Sequence, residues 1–282
     1  MPNTLNKKNE LETRCRICRA TEYARVCAKG AHTYVRCGGC GVTRQWPYPN
    51  SASADVFYRD YLGTKQAENP AYLSETYWTA FEREKDLTFR DLGFDPATLR
   101  GRRVLDVGCA VGQFLQYATH RCATATGIDI SEELVGIASG KGFDASVARL
   151  EDTAGEYDLV TMWHVIEHVP DPVATLADAY ARLACGGGLI VETPCTGLIS
   201  DLFGEHWRFY MPVEHLHLFS QESLFGLLRR SGFAVASWVR FGSGNDTGTI
   251  PDVNKRVADG VAKRLGIGDT IAVWAMKRED GR

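Results

Sequence analysis

Residues 104–112 read Val104-Leu105-Asp106-Val107-Gly108-Cys109-Ala110-Val111-Gly112. A short apolar run, Arg103–Val107, enters a turn bounded by two glycines, and Gln113–Thr119 then has the pattern of a helix. Strand, glycine turn and helix together let a backbone approach a ligand closely, because glycine has no Cβ to hold the ligand off. In open α/β sheets ligands gather outside the carboxyl ends of the strands. The Gly-x-x-x-Gly spacing after Asp106 is not the Gly-x-Gly-x-x-Gly of a dinucleotide site. It favours a nucleoside without a pyrophosphate.

Working outward, Ala125–Ile130 reads as a second strand, ending in Gly127-Ile128-Asp129-Ile130-Ser131. Asp129 offers two oxygens that can accept hydrogen bonds from ribose hydroxyls. Ser131 is a good N-cap for a helix over Glu132–Ser139. Ala145–Arg149, Tyr157–His164 and Gly188–Thr193 read as further strands, and Val173–Ala184 as a helix stopped by Gly186 to Gly188. Ser220 caps a helix over Gln221–Arg230, and Ala234–Phe241 and Thr270–Lys277 are the last two strands. Residues 242–268, rich in Gly and Asp, read in part as loop. The alternation predicts an α/β fold: a Rossmann-like, mostly parallel sheet of seven strands with helices on both faces.

The N-terminal third differs in composition. Residues 1–12 are polar and read as a disordered tail. Residues 13–47 are rich in Cys, Arg and Gly and hold two Cys-x2-Cys pairs, Cys15/Cys18 and Cys37/Cys40, separated by 18 residues. Four thiolates at this spacing predict a closed, structural Zn²⁺ site of zinc-ribbon type. Metal binding would supply the folding free energy that so small a core lacks. Cys27 reads as a spare, and Cys109, Cys122, Cys185 and Cys195 as small buried apolar residues. Residues 48–95, with Tyr58, Tyr61, Tyr72, Tyr77, Trp78 and Phe81, form a helical aromatic linker or lid. The nucleoside-binding domain then runs over residues 96–282.

With 44% apolar and 24% charged residues and a net charge of −3, the chain reads as an ordinary globular protein without the general basicity of a nucleic-acid binder. It shows neither an apolar signal-peptide core nor the run of about 20 apolar residues that crosses a membrane. A cytoplasmic protein is the expectation, and reduced cysteines there suit metal rather than disulfides.

Three stretches, in order, carry a family resemblance. Asp106-Val107-Gly108-Cys109-Ala110-Val111-Gly112, Gly127-Ile128-Asp129-Ile130-Ser131 and Tyr157-Asp158-Leu159-Val160-Thr161-Met162-Trp163-His164-Val165-Ile166-Glu167-His168-Val169 resemble the motifs of class I methyltransferases that use S-adenosylmethionine (SAM), of the UbiG-like and type 23 kind. The resemblance covers about residues 100–277. It implies SAM as cofactor and S-adenosylhomocysteine as product. By the same resemblance, Asp106, Gly108, Cys109 and Gly112 surround the methionyl part, Asp129 and Ile130 the ribose, Leu150 and Glu151 the adenine, and Trp163 lies near the sulfonium. Sugar methyltransferases with an N-terminal zinc ribbon are similar at the cysteine pairs.

The sulfonium is already a good leaving group, so the enzyme has to align an in-line attack and remove a proton from the acceptor. Six of the seven histidines lie between residues 120 and 217. His164 and His168 follow the fourth strand; His206, His215 and His217 follow the fifth, and His215 and His217, two residues apart, point the same way on an extended segment. His168 and His215, then His164, are the candidate bases. Glu167, His168, His215 and His217 also have the donor types of a divalent-ion site. A small-molecule acceptor, a metabolite, natural-product or sugar-like intermediate, is the expectation. The alternative is RNA, held by the local basicity of Arg14, Arg16, Arg19, Arg25, Lys29, Arg36 and Arg44 in the ribbon.

Overall fold

A computed structural model describes residues 14–48, 61–244 and 251–278. The tail 1–12 and Tyr58 of the aromatic segment lie outside the described residues.

The first described elements are three antiparallel strands, β1 (Tyr23–Lys29), β2 (His32–Cys37) and β3 (Thr43–Trp46). Two helices follow, α1 (Tyr61–Glu68) and α2 (Glu75–Asp91). Ser74 caps α2, its hydroxyl accepting from Tyr77 N–H. β4 (Arg103–Val107), α3 (Gln113–His120), β5 (Thr124–Asp129), α4 (Glu132–Gly140) and β6 (Asp144–Val147) form the first half of the α/β domain. β7 (Tyr157–Trp163), α5 (Pro172–Arg182), β8 (Leu183–Thr196), α6 (Leu198–Phe203), β9 (His217–Ser220), α7 (Gln221–Arg230), β10 (Phe233–Phe241), α8 (Asp252–Leu265) and β11 (Thr270–Lys277) complete it.

The sheet order is β6-β5-β4-β7-β8-β11-β10. β4 to β8 are parallel, and β11 inserts antiparallel between β8 and β10. After β6 the chain crosses to the other side of β4, so the topological switch, where a ligand crevice opens, lies at the end of β4.

The period-two geometry of the strands sorts the core into two layers. Leu105, Val160, Val191 and Ile271 face one side, with Leu176 of α5 and Leu224 and Leu227 of α7. Val104, Leu159, Ile190 and Ala272 face the other, with Phe89 of α2 and Phe114 and Tyr117 of α3. Aromatic rings dominate the second layer: Phe89 stacks 5.4 Å from Tyr117 and meets Phe94 edge-on at 5.1 Å.

Four features depart from the sequence reading. α5 ends at Arg182, and Leu183 is already extended, so Gly186 to Gly188 lie within β8 instead of stopping a helix. Part of the stretch read as loop is the helix α8, closed by Gly266 in the left-handed region. Cys122 and Cys185 are exposed, while Cys109 and Cys195 are buried. β9, four residues long, was not legible as a strand. It pairs parallel with the end of β8 and antiparallel with β3, and so joins the cysteine ribbon to the α/β sheet. Among the described residues no helix is long and apolar enough to cross a membrane.

Candidate active site

Gly108 and Gly112 have φ of 71° and 94°. A Cβ at Gly108 would lie 2.6 Å from Val165 Cγ2, and one at Gly112 2.7 Å from the Phe143 ring. Both positions need glycine, for conformation and for space. The N–H groups of Gly108 and Cys109 donate to the Ile128 carbonyl at 2.8 and 3.0 Å, fastening the loop to β5. Asp129 completes the frame. Its Oδ2 accepts from Ala110 N–H at 3.0 Å and its Oδ1 from Ser131 N–H at 2.9 Å. Each oxygen keeps a second acceptor site. Burial raises the Asp129 carboxyl pKa, opposed by the bonds from Ser131 and Ala110. Asp106, 1% exposed, accepts from the Thr161 hydroxyl at 2.7 Å. Burial pushes its carboxyl up to about 7.

The loop opens on a cavity of about 830 Å³. Asp106, Gly108, Cys109 and Asp129 line it, and so do Ile130, Leu150, Glu151 and Trp163. Gly112 does not. It opens α3 from behind the loop, against Phe143. Its part is to shape the turn, and the sequence reading of it as a contact residue is corrected accordingly. Tyr61, Tyr72 and Tyr77 of the aromatic segment line the outer wall. Leu62, Tyr72 and Trp78 pack on Val111 and Leu134, so the described part of that segment is core as well as wall.

Trp163 lines the cavity beside its charged residues. Lys85 Nζ lies 4.0 Å over its ring and 2.9 Å from Glu192 Oε1. His164, at φ 55°, turns away from the end of β7. Its Nδ1 is 3.0 Å from Glu167 Oε1 and its Nε2 3.6 Å from Glu192 Oε1. Burial would lower the His164 pKa, but hydrogen bonds to the two carboxylates raise it to about 9. Burial would raise both carboxyls, yet His164 and His168 hold Glu167 at about 2, and Lys85 and His164 hold Glu192 at about 2. The two carboxylates thus favour the protonated form of His164, which disfavours it as a base relative to His168.

His168 lines the cavity, and its Nδ1 donates to the Glu214 carbonyl at 2.9 Å. His215 lies behind it, outside the cavity lining, with ring centroids 4.9 Å apart. Burial, with His168 nearby, drops the His215 pKa to about 3. His215 and His217 do not share a face. His217 turns to the ribbon, its Nε2 3.1 Å from Tyr48 Oη. His206 is at the surface, its side chain 84% exposed.

Sequence reading gave no part to Lys85 and Glu192. Both left a signal: Glu192 directly follows the apolar run Leu189–Val191 within a buried strand, and Lys85 lies on the helix face of Trp78 and Phe89, seven residues after the one and four before the other. Lys85 and Glu192 are 3% and 5% exposed.

The four ribbon sulfurs converge. Cys15 and Cys40 are 3.6 Å apart, Cys18 and Cys37 3.4 Å, and all four lie within 4.8 Å of one another. A tetrahedron with Zn–S of about 2.3 Å has edges of about 3.8 Å, so the cluster fits zinc. Two of the seven basic ribbon residues turn inward. Arg44, 0% exposed, is enclosed by Tyr23, Trp46 and Tyr48. Arg16 stacks 3.9 Å from Tyr48 and donates to the Pro170 carbonyl at 3.0 Å. Gln45 accepts from Val213 N–H at 2.8 Å. Pro170 and Val213 both line the cavity.

A profile described as a methyltransferase domain matches residues 78–237, more than half of the chain. The chain belongs to this methyltransferase family. The match takes in the glycine loop, Asp129, Trp163 and the His164–His168 segment. Among curated proteins the methyltransferase is similar to the ubiquinone biosynthesis O-methyltransferase of Thiobacillus denitrificans, 41% identical over 104 residues, which are 33% of this chain and 44% of that one. It is also similar to the enzyme of that name from Vibrio parahaemolyticus, 29% identical over 152 residues, 45% of this chain and 65% of that one. The chain thus spans about half the length of the curated relatives it matches. Solved SAM-dependent methyltransferases from Thermotoga maritima and Archaeoglobus fulgidus share its fold. They have 19% and 22% identity, TM-scores of 0.52 and 0.50, and cover 79% and 71% of this chain and 99% and 100% of theirs.

Proposed function

We propose that this methyltransferase transfers the methyl group of SAM to an oxygen of a small molecule. One observation carries the reading: a single cavity is lined by the Gly108 loop and Asp129, by Trp163, and by His164 and His168. Its volume of about 830 Å³ lies in the range of small-molecule pockets, about 300–1,000 Å³. In this reading Asp129 receives the ribose hydroxyls, Leu150 and Glu151 flank the adenine, and the glycine turn admits the methionyl part. The acceptor enters on the side of His164 and His168, and His168 stands beside the reacting atom. Oxygen as the acceptor atom is supported by the similarity to the two ubiquinone biosynthesis O-methyltransferases. Residues 13–47 form a ribbon around a structural zinc ion, and their contacts with Pro170 and Val213 brace the acceptor wall.

The test is an incubation with labelled SAM and a panel of phenols, amines and thiols, scored for S-adenosylhomocysteine and for the methylated product. Turnover of phenols, lost in Asp129→Ala and strongly reduced in His168→Ala, is the expected result. Methylation confined to nitrogen or sulfur would overturn the choice of oxygen, and absence of SAM binding would overturn the cofactor assignment.

A further inference from the structure

We propose that α8 lies on the surface of a lipid bilayer that carries anionic headgroups, and so docks the methyltransferase there. The helix has two unlike sides. Val253, Val257, Val261 and Leu265 recur every four residues, which winds them along one side, and each is more than half exposed. The opposite side holds α8 to the protein. Ala262 is buried there. Lys255 Nζ donates to Asp259 Oδ2 at 2.7 Å, and Asp259 Oδ1 accepts from the Ser243 hydroxyl and N–H at 2.6 and 2.9 Å. Lys263 pairs with Asp91 of α2.

The two lysines of α8 are thus engaged within the protein. Its two arginines are not. Arg256 and Arg264 are exposed, stand in the row of helix surface beside the aliphatic stripe, and make no ion pair among the described residues. Arg256 reaches only the carbonyl of Asp252, at 3.4 Å. The exposed acid of the helix, Asp252, is in the first turn, where the helix dipole favours it.

An aliphatic stripe beside unpaired arginines complements a surface that is apolar within and anionic outside. The aliphatic side chains enter the acyl boundary while the guanidinium groups meet headgroup phosphates. Trp238 stands at the end of the helix. It is part-exposed and lies against Gly266, where α8 stops. An indole, apolar with a single N–H donor, suits the headgroup layer. The charges also argue against a second copy of this chain as the occupant. Two copies packed helix to helix about Gly260, in either direction, would bring arginine against arginine. With 14 residues, α8 rises about 21 Å, short of a bilayer core of about 30 Å, so it lies along the surface. Docking by α8 is independent of the acceptor proposed above.

The experiment is co-sedimentation of the full chain with vesicles of phosphatidylcholine alone and of phosphatidylcholine mixed with phosphatidylglycerol, in low and in high salt. Binding to the mixed vesicles, weakened by salt, is expected. Partitioning should be at least ~10-fold weaker in the double variant Arg256→Glu/Arg264→Glu and lost in Val257→Asp/Val261→Asp. All four side chains are exposed, so both variants should keep the wild-type unfolding midpoint; where the valine variant does not, Val257→Ser gives the readout. No binding to the mixed vesicles, equal binding to both vesicle types, or binding that either pair of substitutions leaves unchanged overturns the docking face. Self-association of the wild type that Val257→Asp/Val261→Asp abolishes, without vesicle binding, assigns the stripe to a second copy and likewise overturns it.

Discussion

Asp106→Asn should stabilise the ligand-free protein above neutral pH, and the structure sets the size of the effect. Asp106 is 1% exposed and keeps one hydrogen bond, from Thr161. Burial moves its pKa from 3.8 to about 7. Below about pH 4 the folded and unfolded states both hold the proton. As pH rises, the unfolded chain gives it up first, while the folded state keeps it until about pH 7. Between those values the folded state binds more protons, so stability falls with rising pH by about 1.4 kcal/mol per unit. From about pH 5 to pH 8 the wild type therefore loses about 3 kcal/mol through this group. An asparagine keeps the oxygen that accepts from Thr161 and does not titrate. Urea unfolding of both proteins, without SAM, over this range measures the difference. The two stability curves should diverge by about 3 kcal/mol, with the variant the more stable at the alkaline end. Curves that stay parallel, within about 1 kcal/mol, would refute the claim that Asp106 is held protonated by burial.

Three other predictions follow from named contacts. Lys85→Met leaves Glu192 buried beside an apolar side chain and should cost about 3–5 kcal/mol in urea unfolding, most of it recovered when Glu192→Gln is added; equal cost in the single and double variants would show that the pair does not matter. Asp129→Ala removes the acceptor for Ala110 and Ser131 N–H as well as for the ribose, so SAM affinity measured calorimetrically should fall by at least about tenfold; unchanged affinity would move the ribose elsewhere. Arg16→Ala frees the Pro170 carbonyl and Tyr48. It should raise the acceptor KM by up to about tenfold and leave the SAM Kd unchanged, and a matching loss of SAM affinity would contradict a role confined to the acceptor wall.

The sequence made the glycine loop and Asp129 of the cavity lining legible because their signals are local. A glycine turn with positive φ, an aspartate at a strand end and a capped helix each depend on neighbours in the chain, and all of them lie between Asp106 and Ser131. The alternation of strands and helices was legible for the same reason. The charged cluster depends on contacts far apart in sequence: Lys85 with Glu192, Glu167 with Thr193, His168 with the Glu214 carbonyl. Periodicity cannot see such pairs. It marks only the oddity each leaves behind, such as a glutamate inside the apolar strand β8.

His215 and His217 show how a local rule fails. Period-two spacing puts two side chains on one face only if the backbone is extended through both. Here β9 begins at His217, and Val213 at φ 74° marks a left-handed bend just before His215. The chain therefore turns between the two histidines' partners. His215 reaches inward to the Phe209 carbonyl and the His168 ring, while His217 reaches outward to Tyr48. Gln45 of the ribbon binds the N–H of Val213 itself. The bend that places His215 behind His168 is thus held from the ribbon side, by a residue five positions beyond Cys40. Disruption of the cysteine cluster should then disturb the His168–His215 pair before it disturbs the Gly108 loop, which among the described residues has no ribbon residue as a hydrogen-bond partner.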